Sequence, residues 1–451
     1  MSHTIIFDIG KTNKKCFVFD EEYREVWREY FRFKEIEDED GFPCDDVLAI
    51  GDWIKMTTKK LLKNKKLDIK AINFSTYGAS FVHIDKKGLP ITPLYSYLKP
   101  FPKDLLVSFY EKYGSEEQIA REAASPLLGM LNSGFQLYWL KYTQPKVYQK
   151  IYRSLHLPQY LSYLLTGIPI SEYTSIGCHT RLWDYSKHDY HHWVYEEGLH
   201  KKLSPIVNTD TSINTKIVGK FVKVGVGIHD SSAALLPYMR TSNSTFVLIS
   251  TGTWSITLNP FSQDILSKKE LQNDCLNFLR IDGNTVRASR LFLGNEYELQ
   301  LEKLRKHFNV KKNIHKSILF NETIFNELNK DFKKHFAFES LKLKRKQPDK
   351  TNLKAFPTFE IAYHQLMQEM VQLQVESTKL AIGKTPIKKI FIDGGFADND
   401  LFVKLIRLHF KDYKIRTTQS AIGSALGSAM VLSTKKVNMN FLKKHYTLKK
   451  Q

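Results

Sequence analysis

The sequence predicts an α/β fold made of two similar halves that enclose a cleft. A chain of 451 residues is too long for one hydrophobic core, so we expect two domains of roughly 200 residues each. The chain opens with short alternating strands, followed by a helix and another strand. A related strand–turn–strand unit returns about 240 residues later. Two related units in one chain favour two halves with a cleft between them.

The first half begins as a meander of strands. Apolar and polar residues alternate on either side of a sharp turn at residues 10–13, and an amphipathic pattern follows before a second apolar run. The predicted elements are strands over residues 4–9, 16–20 and 23–33, a helix over 52–63 and a strand over 69–75.

The second half repeats the strand–turn–strand pattern and then adds a long helix. We place the boundary near Pro237, which gives domains of residues 1–237 and 238–451. Residues 310–355, rich in Lys, Asn and Phe, lack clean periodicity and are predicted to be an insertion or peripheral helices. The predicted elements are strands over 245–249 and 254–258, a helix over 359–382, a strand over 389–392 and a helix from Asp400.

Composition excludes some classes of function. The net charge of +20 raises the question of nucleic-acid binding, but the excess is mostly Lys spread along the chain, without a nucleic-acid-binding motif. We therefore predict solvated lysines and no nucleic-acid partner. No window approaches the roughly 20 apolar residues of a membrane span, so no membrane partner is expected. The four cysteines are scattered, which is typical of a reducing cytoplasm, and we expect a cytoplasmic protein.

Two Gly-Lys-Thr tripeptides, at residues 10–12 and 383–385, resemble part of a P-loop. A P-loop needs another Gly five positions before its Gly-Lys pair, but Ile5 and Thr378 stand there. Neither tripeptide is therefore a P-loop. Residues 225–230 are likewise an incomplete dinucleotide fingerprint, because Asp230 stands where the third Gly belongs.

The turns at residues 10–13 and 250–253 are better candidates for phosphate binding. A glycine in each lets the backbone come close and present N–H groups to phosphate oxygens. Asp8 ends the strand before the first turn and supplies an oxygen for hydrated Mg²⁺. Each turn alone is also compatible with an ordinary hairpin. Both together, one in each half, indicate a site for a phosphorylated ligand.

Asp230 is the leading candidate for chemistry. Transfer of a phosphoryl group needs a carboxylate that orients and deprotonates the acceptor hydroxyl. Asp230 follows a Gly-containing turn and precedes a run of small residues that would begin a helix. A helix N-cap is the structural alternative for the same residue, and the local sequence leaves both roles open.

Three histidines, His188, His191 and His192, lie close together beside Trp193. A metal site would need carboxylate or cysteine partners and a fitting geometry. We predict a surface loop instead.

The motifs together resemble the FGGY carbohydrate kinases of the actin–hexokinase superfamily along nearly the whole chain. Residues 8–13 and 250–254 look like the two phosphate loops of that family, and residues 227–230 look like its Gly-x-x-Asp catalytic-base motif. Residues 157–167 resemble its sugar-domain helix, and residues 393–399 with 421–427 resemble its adenosine site. The resemblance implies two actin-like (ribonuclease H-like) domains that enclose a nucleotide and sugar cleft.

The resemblance also implies roles for individual residues, with ATP and Mg²⁺ as cofactors. It implies that Asp230 is the catalytic base and that Asp8 binds the metal ion. The implied nucleotide contacts are Gly10, Lys11, Thr12, Asn13, Lys15, Thr251, Gly252, Thr253, Gly394, Gly395 and Asn399. The implied sugar contacts are Thr76, Tyr77, Ser80, Asn132, Gln136 and His229.

Within the family, three features are similar to the L-fuculose and L-rhamnulose kinase branch: Thr12-Asn13, Trp254 and residues 132–140. The chain departs from that branch at Ser80, where an Asp is usual, at Lys11, where a small residue is usual, and in lacking an Asp-x-Arg element within residues 94–100. The implied activity is ATP-dependent phosphorylation of a small ketose, a 6-deoxy-ketohexose such as L-fuculose or L-rhamnulose.

Alternatives remain open. They are a kinase for a pentulose (xylulose or ribulose) or a polyol, a non-catalytic sugar sensor of the same fold, and a nucleic-acid-associated ATPase. We expect a monomer or a homodimer.

Overall fold

The structure is a computed structural model that describes residues 2–11, 13–341, 347–420 and 422–450. Helices α1–α16 span, in order, Val47–Lys63, Lys103–Tyr113, Glu116–Glu122, Ser133–Thr143, Pro145–Lys150, Leu157–Thr166, Tyr173–Ile176, His192–Glu196, Asp230–Thr241, Lys268–Gln272, Leu293–Phe308, Glu322–Lys330, Phe359–Ile382, Asp400–His409, Gly423–Val431 and Met439–His445. Short 3₁₀ turns lie at Gly129–Leu131, Leu199–Lys202, Ile314–Ser317, Leu353–Ala355 and Gly395–Asp398.

Strands β1–β11 span, in order, Ser2–Ile9, Lys14–Asp20, Glu25–Phe31, Ile36–Glu37, Pro43–Cys44, Asp68–Thr76, Phe81–Ile84, Arg153–His156, Ser171–Glu172, Trp183–Asp184 and Asp189–Tyr190. Strands β12–β22 span, in order, Ile206–Val207, Ser212–Ile217, Lys220–Gly225, Ile228–His229, Phe246–Thr251, Ser255–Asn259, Cys275–Leu279, Thr285–Leu291, Lys389–Gly394, Lys414–Thr418 and Lys449–Lys450.

Each half contains one large sheet, and the two sheets share a strand pattern. The first has the order β13-β14-β6-β1-β2-β3, with β15 also pairing with β6. The second has the order β18-β19-β17-β16-β20-β21-β22. In both, a strand (β1 or β16) pairs antiparallel with the next strand along the chain and parallel with a later one. The prediction of an α/β fold with two similar halves is therefore confirmed.

Helix α1 packs on the first sheet and begins earlier than predicted. The carboxylate of Asp46 accepts hydrogen bonds from the backbone N–H groups of Leu48 and Ala49, which fixes the start at Val47. The sequence prediction, which started at residue 52, is wrong by five residues because it followed the apolar period and missed this cap. Trp53 anchors the helix in the core, with its ring 5.4 Å from that of Phe7 on β1.

Helix α13 is the central helix of the second half and has the predicted bounds. The Thr358 hydroxyl accepts a hydrogen bond from Ile361 N at its start. Gly383, at φ 56°, ends it and donates its N–H to Lys379 O. Most of its side chains are buried against the second sheet and α11.

Helices α9 and α15 pack closely between the two sheets. A Cβ on Gly427 would lie 1.8 Å from Ala233 O, so this approach requires glycine. Asn73 on β6 donates to Ser428 O at 2.9 Å and ties the first sheet to α15. Pro237, the predicted boundary, lies inside α9, and β16 opens the second sheet five residues after that helix ends. The boundary itself stays a prediction.

Part of the segment at residues 310–355 is peripheral, as predicted, since no side chain of α12 is fully buried. The prediction is wrong for the residues that follow, because Phe336, Phe338 and Leu341 are buried in the core of the second half. All four cysteines are buried, and none forms a disulfide. Among the helices described, none combines the length and the apolar character that a membrane crossing requires.

Candidate active site

Asp8 lies at the carboxyl end of β1, on the floor of the cleft. Its Oδ1 accepts a hydrogen bond from the Ser424 hydroxyl of α15 at 2.9 Å, so the carboxylate touches both halves. Burial raises the pKa of Asp8, and the negative charge of Asp230 raises it further. The positive charge of Lys15 acts in the opposite direction. The carboxylates of Asp8 and Asp230 offer the hard oxygen ligands that Mg²⁺ prefers.

Asp230 is the first residue of α9, and His229 holds the N-cap position, so the aspartate is not the cap. Its Oδ1 accepts a hydrogen bond from Ser231 N at 2.6 Å. Its Oδ2 accepts none from the described residues, and the side chain is 35% exposed to the cleft. Although one side meets the cleft, protein surrounds the rest, and this desolvation raises the pKa of Asp230 to about 6. An ionised carboxylate with a free oxygen and a raised pKa suits a general base.

His229 is buried beside Asp230. Its Nε2 lies 3.2 Å from Asp230 Oδ1 and 3.3 Å from Cys178 Sγ. Desolvation lowers the pKa of His229 to about 4, so the imidazole is neutral at pH 7. The contact with Asp230 is therefore between a neutral ring and a carboxylate, and it is not an ion pair. His229 can orient Asp230 without neutralising its charge.

A buried carboxylate that the sequence analysis missed, Asp45, lies between the first turn and Tyr77. It accepts hydrogen bonds from Lys14 Nζ at 2.6 Å, Lys11 Nζ at 3.0 Å and the Tyr77 hydroxyl at 2.6 Å. Burial alone would raise the pKa of Asp45, but the bonds from Lys14 and Tyr77 outweigh it and lower the pKa. The only sequence signal was the Asp45-Asp46 pair, of which Asp46 alone caps a helix.

The first turn is a closed hairpin, with Gly10 N donating to Asn13 O at 3.0 Å. Lys11 was predicted to contact the nucleotide, but its ammonium group binds Asp45 and lies 3.3 Å from Glu35 Oε1. Asn13 Oδ1 accepts a hydrogen bond from Arg32 Nε at 3.2 Å. Lys15 lies on β2, directly opposite Asp8 on β1. Thr12, also predicted here, lies outside the described residues.

The second turn connects to the loop after β20 through a side chain. The Thr251 hydroxyl donates to Asp393 O at 2.6 Å and accepts from Phe396 N at 3.0 Å. This hydroxyl holds the protein together and is not free for a ligand. Gly252 and Thr253 are exposed at the tip of the turn. The second turn can therefore present its backbone and the Thr253 side chain to a ligand.

A cavity of about 730 Å³ opens beside the second turn, within the usual range for a small-molecule site. Gly394, at φ 88°, lies so close to Thr251 O that a Cβ would be 1.9 Å away, whereas Gly395 faces open space. The bare backbone there makes a cradle for a ligand. The lining residues are Gly252, Thr253, Gly294, Asn295, Tyr297, Glu298, His315, Lys316, Ile318, Leu319, Gly395, Phe396, Asp398, Asn399 and Asp400.

The cavity joins two glycines that the sequence predicted, Gly252 and Gly395, with residues that it missed. Asn399 lines the cavity, but its side chain caps α14 and donates to the Tyr363 hydroxyl at 2.8 Å. Residues 294–298 and His315 come from α11 and a 3₁₀ turn far away in sequence, and no local motif marked them. A cavity of this size, walled by backbone and Tyr297, has room for a small-molecule ligand.

The residues predicted to bind sugar are largely used inside the protein. Gln136 Nε2 donates to the carbonyls of Ala79 and Met130, and Asn132 Nδ2 donates to His179 O. Both side chains are fully buried, so they hold the loops around residues 76–80 in place. Thr76, also buried, donates its hydroxyl to Tyr77 O.

Ser80 is buried too, and its Oγ has no hydrogen-bond partner among the described residues. Tyr97, half-buried, packs its ring 5.9 Å from that of Tyr77. Burial raises the pKa of Tyr97, and Lys11 and Asp230 are both near enough to affect it. The polar groups around the cleft floor in the first half are therefore those of Asp8, Lys11, Lys15, Tyr97 and Asp230.

The histidine segment belongs to other elements, the hairpin β10–β11 and helix α8. The prediction of a surface loop holds for the exposed His188 but is wrong for His191, whose side chain is completely buried.

Residues 3–235 match the N-terminal domain of the FGGY family of carbohydrate kinases. A rhamnulokinase from Halalkalibacterium halodurans is 24% identical over 271 residues, covering 57% of this chain and 56% of the relative. A rhamnulokinase from Klebsiella pneumoniae is 26% identical over 267 residues, covering 55% of this chain and 52% of the relative. The chain thus spans about half the length of the relatives it matches.

A solved carbohydrate kinase from Novosphingobium aromaticivorans has a TM-score of 0.79 at 23% identity, covering 100% of this chain and 94% of that one. This likeness confirms the fold of two actin-like domains. Because the family match extends over more than half of the sequence, the chain belongs to the FGGY family of carbohydrate kinases.

Proposed function

We propose that the protein is an ATP-dependent sugar kinase that transfers the γ-phosphate to a hydroxyl of a small ketose. The observation that carries this proposal is the state of Asp230. Its Oδ2 is free, it faces the cleft, and its pKa of about 6 leaves it ionised at pH 7. A binding protein of the same fold would have no use for a desolvated carboxylate at this position, since holding it there opposes burial.

The proposed reaction uses residues of both halves. Asp230 accepts the proton of the sugar hydroxyl as the oxygen forms a bond to the γ-phosphorus, and the bond from that phosphorus to the β-phosphate bridge breaks to release ADP. Asp8 would hold Mg²⁺, which neutralises charge on the phosphates when bound. The Thr253 side chain and the bare backbone at Gly395 would orient the phosphates and the nucleoside. A closed cleft would exclude water, the competing acceptor.

For the acceptor we propose a 6-deoxy-ketohexose such as L-fuculose or L-rhamnulose. The relatives named rhamnulokinase and the motifs shared with that branch support this choice. The paired rings of Tyr77 and Tyr97 offer an apolar surface beside Asp230 that suits a methyl group. Solved xylulose kinases share the fold, at 14% identity, but this likeness does not carry their substrate over to this chain.

The test is an ADP-release assay with a panel of acceptors. L-Rhamnulose, L-fuculose, xylulose, ribulose and glycerol are each offered with ATP and Mg²⁺, and phosphorus NMR then locates the new ester. We expect turnover with a 6-deoxy-ketohexose to exceed that with glycerol. Sugar binding in calorimetry without ADP release would indicate a sensor. ATP hydrolysis stimulated by RNA or DNA, but by no sugar, would refute the kinase proposal.

We also propose that the protein is cytoplasmic and that it is a monomer or a homodimer. Buried, unpaired cysteines fit a reducing cytoplasm, and localisation of a tagged protein in its host would test this. Light scattering would distinguish a monomer from a homodimer.

A further inference from the structure

His191 and His192 form a cluster with Glu122, away from the residues of the proposed kinase site. The fold brings the carboxylate of Glu122 to these histidines from the end of α3. One ligand atom from each of the three residues lies within 4.8 Å of the other two. Small side-chain movements would bring all three to the distances of a bound metal ion.

The buried ring of His191 has no conventional partner. Its Nε2 lies 2.9 Å from Glu122 Oε2, yet neither ring nitrogen makes a hydrogen bond within the described part of the chain. The carboxylate oxygen therefore lies off the direction in which a ring N–H would point. Buried polar atoms are normally satisfied, so this ring needs an explanation. In a metal site, the lone pairs of a ring nitrogen and of a carboxylate oxygen point at a shared ion and not at each other, which is compatible with the arrangement of His191 and Glu122.

The ring of His191 is a suitable metal ligand, because its nitrogens make no hydrogen bond to the described residues and imidazole nitrogen is a common zinc ligand. Glu122, about one quarter exposed, supplies a negative charge beside it.

Hydrogen bonds hold Glu122 and His191 in place. Gln118 Nε2 donates to the other oxygen of Glu122 at 3.0 Å, and Tyr185 N donates to Glu122 O at 3.0 Å. His191 N donates to Leu182 O at 2.7 Å. A hydrogen bond to the second oxygen of a ligating carboxylate is typical of metal sites, because it orients the ligand.

We propose that Glu122, His191 and His192 bind one Zn²⁺ ion, with water as a fourth ligand. Two imidazoles and one carboxylate are a ligand set that suits zinc, and three protein ligands leave one position for solvent. The ion would join α3, the hairpin β10–β11 and α8, beside the buried Trp193. Its role is to hold these elements together, and it does not depend on the proposed kinase function.

The experiment measures zinc in the protein expressed without a histidine tag. The protein is dialysed against a zinc buffer of fixed free concentration and analysed by mass spectrometry for metals. We expect about one zinc per chain in the wild type and less than about one fifth of that in Glu122→Gln and His192→Ala. His188→Asn is the matched control, because it removes an exposed imidazole from the same hairpin and should keep its zinc.

Cobalt substitution gives a second readout on the wild type alone. Bound Co²⁺ should show the intense visible bands of a four-coordinate ion and be displaced by one equivalent of Zn²⁺. Chelation should lower the melting temperature by several degrees in the wild type and in His188→Asn, but not in His192→Ala. Sugar kinase kinetics should be the same in all of these variants. A wild type without zinc, or equal zinc in His192→Ala and His188→Asn, would overturn the proposal.

Discussion

The two faces of the cleft have the same strand–turn–strand architecture but different chemistry. The face of the first half carries charges, at Asp8, Lys15 and Asp230, and Lys11 bound to Asp45. At the same place in the strand pattern the second half carries small residues, because Gly252, Thr253 and Gly395 line a large cavity there. The charged residues of that cavity, such as Glu298, Lys316 and Asp398, come from other segments.

The difference shows that two similar halves of one fold can carry different functional groups. Charged groups held in a desolvated setting can move a proton and hold a cation, whereas a bare glycine backbone accepts a bulky ligand at close range. On the proposed function, changes in the first face should alter turnover or sugar use. Changes in the second face should alter nucleotide binding alone.

The largest expected effect is that of Asp230→Asn, which keeps the shape and removes the base. We expect kcat to fall by about 10²–10⁴-fold, because a positioned general base contributes about that much. The KM values for ATP and sugar should change by less than about threefold. Asp210→Asn, at an exposed aspartate of the same half, is the control. Near-normal turnover of Asp230→Asn would refute the assignment of the base.

Next is Asp8→Asn, which should lower the rate by about 10–100-fold and raise the Mg²⁺ concentration needed for half-maximal rate. The reason is that a neutral amide holds a hydrated cation less well than a carboxylate. Rates measured over a Mg²⁺ titration test this. Ser424→Ala, which only removes the hydrogen bond to Asp8, should have a smaller effect. An unchanged Mg²⁺ dependence would mean that Asp8 only ends a strand.

These two carboxylates illustrate what the sequence could predict. Asp8 ends a strand just before a glycine-containing turn, and Asp230 follows such a turn, so their positions could be predicted from local patterns. The bounds of α13 were predicted for the same reason, since Thr358 and Gly383 mark its two ends.

Contacts between distant segments could not be predicted. Asp45 meets its three partners from 31 to 34 residues away, and Glu122 meets His191 from another helix. Burial of such groups depends on tertiary packing, which no local period encodes. The predicted sugar contacts at Asn132 and Gln136 show the converse, because polar residues in a motif can serve the backbone instead.

The pH dependence of kcat/KM should show an effect of intermediate size. Burial raises the pKa of Asp230 to about 6, and the base must be ionised to act. The value of kcat/KM should therefore be constant above that pKa and fall about tenfold per pH unit below it. Asp393 of the second half also has a pKa raised to about 6 by burial, so Asp393→Asn is the control. If Asp393→Asn abolishes the acid limb, the limb belongs to the second face and not to Asp230.

A paired substitution at the two turns tests the comparison most directly. Lys11→Met should raise the KM for sugar by about threefold to tenfold, because its ammonium group lies with Asp45 beside Tyr77. Thr253→Ala should raise the KM for ATP by a similar or smaller factor and leave that for sugar unchanged. Initial rates with each substrate varied in turn measure both. If Lys11→Met changes the KM for ATP alone, Lys11 serves the nucleotide as the sequence predicted.

The smallest effect is expected at Ser80, where the sequence departs from its nearest branch. Its hydroxyl is buried and has no hydrogen-bond partner among the described residues, so it either binds a sugar oxygen or stays without a hydrogen bond. Ser80→Ala separates these roles. If the sugar binds there, the KM for the preferred ketose should rise by about twofold to tenfold and the order of acceptors should change, since one neutral hydrogen bond is lost. If the hydroxyl is only part of the wall, the KM should stay constant and the melting temperature should rise slightly, because removing an unsatisfied buried hydroxyl is neutral or stabilising. We expect the first result, and an unchanged acceptor order with a raised melting temperature would remove Ser80 from the sugar site.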